Sequence, residues 1–95
     1  MNVAEMLEGI EISIQRAEKI PHGSATIRIC QIYKDVMFYL IEKEEISMSD
    51  DKEKFVEYLR NFPPSQLYKV ANYYRQEKGM VLLDYQQDIY KEKAI

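Results

Sequence analysis

The chain has 95 residues, 46% hydrophobic and 31% charged, which is enough for one hydrophobic core, too few for two, and too apolar for an intrinsically disordered segment. Three glycines and three prolines leave little turn material for an all-β fold, and a net charge of −3 is the wrong sign for nonspecific capture of nucleic acid. The richest apolar stretch, 25–41, is broken by Arg28, Gln31, Lys34 and Asp35, so no run approaches the roughly 18 residues of a membrane span.

What remains is an all-α reading: a single helical domain over 1–95, a four- to five-helix bundle around one core, with helices at about 2–20, 24–45, 50–61, 65–78 and 80–92. Val3, Met6, Leu7, Ile10, Ile14 and Ala17 recur at three- and four-residue steps and make one stripe of the first helix. Glu5, Glu8 and Glu11 stand where an export signal would carry basic charge, so a cytoplasmic location is expected. Ile12 projects to the opposite side, among Glu5, Glu8, Gln15, Arg16 and Lys19. Pro21-His22-Gly23 ends the helix, Pro disfavouring helical geometry at Ile20 and Gly freeing the turn.

Ser24 is positioned to cap the second helix, whose stripe is Ala25, Ile29, Ile32, Tyr33, Val36, Met37 and Leu40. Phe38 and Tyr39 fall outside that stripe and widen the apolar arc beyond what one helical face buries, which points to a contact on the outer side of the helix, with Ile12 as a possible contributor. Cys30 lies in this apolar setting without a second thiol and reads as a packed, inert side chain.

Asp50 and Glu53 resemble a capping box for the third helix, which carries Phe55, Leu59 and Phe62 and stops at Pro63-Pro64. Ser65 is placed to cap the fourth, with Leu67, Val70, Ala71 and Tyr74 on its core side. Gly79 separates it from a fifth helix beginning at Met80, although one glycine costs only about 1 kcal/mol inside a helix and a continuous rod keeps the same stripe. Leu7, Ile10, Ile14, Ile29, Val36, Leu40, Phe55, Leu59, Leu67, Val70 and Tyr74 are the expected core.

No catalytic, metal or cofactor constellation emerges. Arg16 and His22, with five residues between them, resemble the arginine-to-histidine spacing of HEPN-type ribonucleases, but Ala17 replaces the usual polar residue and Pro21 interrupts the helix that would present the histidine. The carboxylates lie in solvated runs, without the burial that would separate acid and base roles. The chain thus reads as a non-enzymatic protein-interaction module, an adaptor, inhibitor or regulatory subunit that self-associates as a homodimer or docks on a protein partner. Ile12, Phe38, Tyr39, Tyr68 and Tyr73 are its interface candidates, because aromatic residues offer large contact area at low rotamer cost.

The alternative is a helix-turn-helix-like nucleic-acid binder over residues 50–78. Residues 60–78 hold Arg60, Lys69, Arg75 and Lys78 against Glu77, a local balance of +3, and Gln66, Lys69, Asn72, Tyr73 and Arg75 include side chains that read bases or contact phosphates. The overall acidity and the two prolines at the corner weigh against it.

Overall fold

The computed structural model describes residues 1–84. Its four helices are α1 (Val3–Glu18), α2 (Ser24–Glu42), α3 (Lys52–Asn61) and α4 (Pro64–Glu77). Residues 80–84 carry no helix, so the expected fifth helix does not begin at Met80, and its remainder lies outside the described residues. Helix α4 is not a rod running through Gly79. That residue takes φ 68°, and Gly79 and Met80 donate back to the carbonyls of Gln76 and Arg75, a Schellman closure that only glycine adopts without strain.

The other ends follow local chemistry. Asn2 caps α1 in a reciprocal box, its Oδ1 accepting from the Glu5 amide while Glu5 Oε1 accepts from the Asn2 amide. Asp51 rather than Asp50 caps α3. Asp50 instead accepts from the Ser47 amide and meets Lys54, contacts that pull its carboxyl below the usual carboxylate range. Ser24 and Ser65 cap nothing: each falls just inside its helix, behind Gly23 and behind Pro64 at the first helical position. Helix α2 closes like α4, but with Glu44 at φ 61° in the left-handed position.

Helix α2 is the shared wall of the bundle, packed on one side by α1 and on another by α4. A short turn makes α1 antiparallel to α2. Gly23 allows this close approach, since a Cβ there would stand 2.0 Å from the Ala17 carbonyl oxygen, and it is His22, not Gly23, that adopts the left-handed turn at φ 65°. The pairs Phe38–Tyr74 and Glu42–Lys78 climb together, so α4 runs parallel to α2.

The core gathers Val3, Ile10, Ile32, Val36, Met37, Leu40, Ile46, Phe55, Leu67, Tyr68, Ala71 and Leu83. Leu7, Ile14, Leu59 and Val70 pack against it half-buried, and Tyr74 is likewise half-buried. Ile29 is the exception among the expected core residues. It lies one turn before Ile32, the first buried residue of α2, and it is 46% exposed.

Candidate functional site

The interface candidates do not form one patch. Phe38 stacks on Tyr74 with ring centroids 6.1 Å apart, and Tyr39 meets the edge of Tyr73 at 5.9 Å, so the outer side of α2 is covered by α4. The wide apolar arc of α2 belongs to the fold. Tyr68 is buried and serves the core. Ile12 and Tyr73 are exposed, but on α1 and α4, helices that each pack on α2 and share little contact with one another.

The nucleic-acid candidates divide in the same way. Gln66 is half-buried, and Lys69 and Tyr73 are exposed on α4. Arg75 is buried and donates through Nε to Asp35 Oδ2 on α2 at 2.5 Å. Asn72 is also occupied, as described below, so two of the five side chains face protein rather than a groove of DNA. The basic bias is partly consumed within the chain, because Lys78 pairs with Glu42 at 2.7 Å, and Arg60 with Glu53 and Glu57 at 3.5 and 3.6 Å. Arg16 and His22 are both exposed. Among the described residues, no group of three or more His, Cys, Asp or Glu is placed to hold a metal ion, and no helix is long and apolar enough to cross a membrane.

Composition and periodicity missed the segment after Gly79, which runs back along α4 as a strap. Asn72 holds it with both ends of its carboxamide: Nδ2 donates to the Leu83 carbonyl at 2.8 Å and Oδ1 accepts from the Leu83 amide at 2.7 Å. One side chain can reach both groups only if they project to the same side, as they do in a strand residue. Arg75 Nη1 adds a bond to the Val81 carbonyl at 3.0 Å, and its backbone carbonyl accepts from Met80. Arg75 therefore ties three elements together, α2 through Asp35, its own helix, and the strap.

Neither the chain nor any part of it matches a known family model, a curated protein or a solved structure.

The latch places the side chains of the strap unequally. Leu83 is buried, while Met80, Val81 and Leu82 are 43%, 84% and 53% exposed. Beside the strap, an open cleft of about 480 Å³ lies between Ser65, Tyr68, Lys69 and Asn72 on one side and Leu82, Leu83 and Asp84 on the other. Burial pushes the Asp35 carboxyl above the usual range even though Arg75 and Lys34 pull it down. At Cys30 burial raises the thiol, which disfavours the reactive thiolate.

Proposed function

We propose that the chain is a non-enzymatic protein-interaction module, a small adaptor or regulatory subunit of the cytoplasm, that self-associates through the outer face of the strap. The observation that carries this reading is the run Met80-Val81-Leu82, three consecutive exposed apolar side chains, the last of them at the edge of the cleft, on a backbone held by Asn72 and Arg75. Single exposed apolar residues are ordinary, whereas a contiguous and ordered group marks a contact surface. The latch also lowers the ordering cost of binding, because the contact residues are already fixed. Phe38 and Tyr39 drop out of the interface, since each already has an aromatic partner on α4.

Light scattering of the wild type beside Val81→Asp tests this. Val81 is so exposed that the substitution should change monomer stability by no more than about 0.5 kcal/mol. The expected result is a concentration-dependent dimer that Val81→Asp abolishes without lowering the melting temperature. A wild type that stays monomeric at about 100 µM, where a protein contact of even about −6 kcal/mol is populated, removes the self-association reading.

A further inference from the structure

We propose that the outer face of α1 is a weak docking surface for a second copy of this chain, on which two α1 helices pair antiparallel across a two-fold axis at Ile12. Glu5, Glu8, Ile12, Arg16 and Lys19 are all exposed. At 3.6 residues per turn, Glu8 and Arg16 stand about 40° to either side of Ile12, and Glu5 and Lys19 about 20°, so the five form one strip. Lys19 is the C-cap and keeps helical geometry, which carries the strip to its end. The order along it is acid, acid, apolar, base, base. The spacing is mirrored about Ile12, with Glu8 and Arg16 four residues away and Glu5 and Lys19 seven.

That pattern selects the occupant. A two-fold axis at Ile12, perpendicular to the helix, sets Glu8 opposite Arg16 of the second copy and Glu5 opposite its Lys19, and repeats both pairs on the other side of the axis. A parallel pairing in register would set Glu8 against Glu8 and Arg16 against Arg16, which is repulsive. The strip is therefore complementary to itself in one orientation, which is what a contact between identical surfaces requires. Its charges are available. Among the described residues Glu8, Arg16 and Lys19 take part in no ion pair, whereas Glu11, on the neighbouring arc, is held by Lys34 at 3.7 Å. Glu5 Oε1 accepts from the Asn2 amide, and its carboxylate retains lone pairs for a cation. Ile12, 40% exposed, meets its own copy at the axis and supplies the apolar centre.

The contact is weak, because exposed ion pairs contribute little and one isoleucine from each copy buries little area, which sets a dissociation constant on the order of millimolar. It goes beyond the strap contact and does not depend on it, since α1 and α4 pack on different sides of α2. Copies that use both faces assemble past the dimer.

Val81→Asp disables the strap contact, so sedimentation equilibrium of that variant from about 0.1 to 2 mM, near 0.05 M salt, reads the α1 contact alone. The expected result is a monomer–dimer equilibrium with its midpoint near about 1 mM. Adding Glu8→Lys or Arg16→Glu places like charges across the axis and should weaken association at least about tenfold. Both positions are exposed, so the fold is retained, as circular dichroism will show. In an equimolar mixture of the two, each introduced charge meets its opposite on the other variant, and association should return to within about threefold of the parent. A folded Val81→Asp that stays monomeric at about 2 mM overturns the proposal whether or not the charge variants fold. A dimer indifferent to both substitutions overturns it as well, as does a mixture that associates no better than its components. The strap contact is read at about 100 µM, well below the range of this one, so either can fail alone.

Discussion

Replacing Arg75 by Met while leaving Asp35 in place should remove a large part of the protein's stability, whereas replacing both should not. The two side chains are 11% and 6% exposed, and Arg75 Nε meets Asp35 Oδ2 at 2.5 Å. Leaving one member of a buried pair without its partner costs about 3–5 kcal/mol. Loss of the Arg75 bond to the Val81 carbonyl adds about 1 kcal/mol, against a total stability of about 5–15 kcal/mol for a domain of this kind. The double variant Asp35→Leu with Arg75→Met buries no charge. Because burial raises Asp35 despite its cation, attraction within the pair does not fully offset desolvation, and the double variant should lie within about 1 kcal/mol of the wild type.

Urea melts of the four proteins at neutral pH give the coupling directly. The pH dependence supplies a signature of its own. A folded-state pKa above the unfolded value of about 3.9 means that the stability associated with Asp35 is fully present below that value and is lost as pH rises through the folded one. Without Arg75 the folded value rises further, so Arg75→Met should lose stability up to a higher pH and recover on acidification. The reasoning is refuted if Arg75→Met costs less than about 1 kcal/mol, or if the double variant loses the sum of the two single losses.

Leu40→Ala should cost about 2–5 kcal/mol in chemical denaturation because Leu40 is buried, while Ile29→Ala, on an exposed turn of the same helix, should cost less than about 1 kcal/mol. Gly9→Ala should stabilise the protein by about 0.5–1 kcal/mol, since a Cβ there meets nothing within 4 Å, whereas Gly23→Ala drives a methyl into the Ala17 carbonyl and should lower the melting temperature in step with a loss of about 1–3 kcal/mol. Glu44→Gly should raise stability by about 1 kcal/mol in a urea melt, because it relieves a left-handed backbone at an exposed position.

Helix positions and most of the core were legible because each stripe repeats many times. Val3, Ile10, Val36, Leu40, Phe55 and Leu67 all lie where 100° stepping places them. Periodicity gives direction around a helix but not position along its neighbours, which is why Ile29 was misplaced. It also cannot tell an apolar residue facing solvent from one facing a second helix. Phe38 and Tyr39 looked exposed until Tyr74 and Tyr73 were set against them.

The candidate site was less legible still. Nothing local in Asn72 or Arg75 distinguishes a groove reader from a side chain occupied by Leu83 and Asp35, since those partners are 11 and 40 residues away. The one signal available was Gly79, read correctly as a place where α4 ends. The apolar run after it was assigned to another helix because Met80 to Leu83 fits a buried helical segment as well as a strap.

The start of the chain is sewn to residues near its middle. Val3 and Ala4 donate to the carbonyls of Asp50 and Met48, Lys52 donates to the Met1 carbonyl, and Asn2 bridges Asp51. The seam closes a ring of about fifty residues that contains all of α1 and α2. During synthesis both helices leave the ribosome before the residues that complete the first turn of α1, so the opening turn waits, uncovered, for its own clasp. A single protease cut between the exposed Glu44 and Glu45, ahead of the buried Ile46, would spare every helix and break the ring, which makes that bend the place where one nick would unfasten the N-terminal turn.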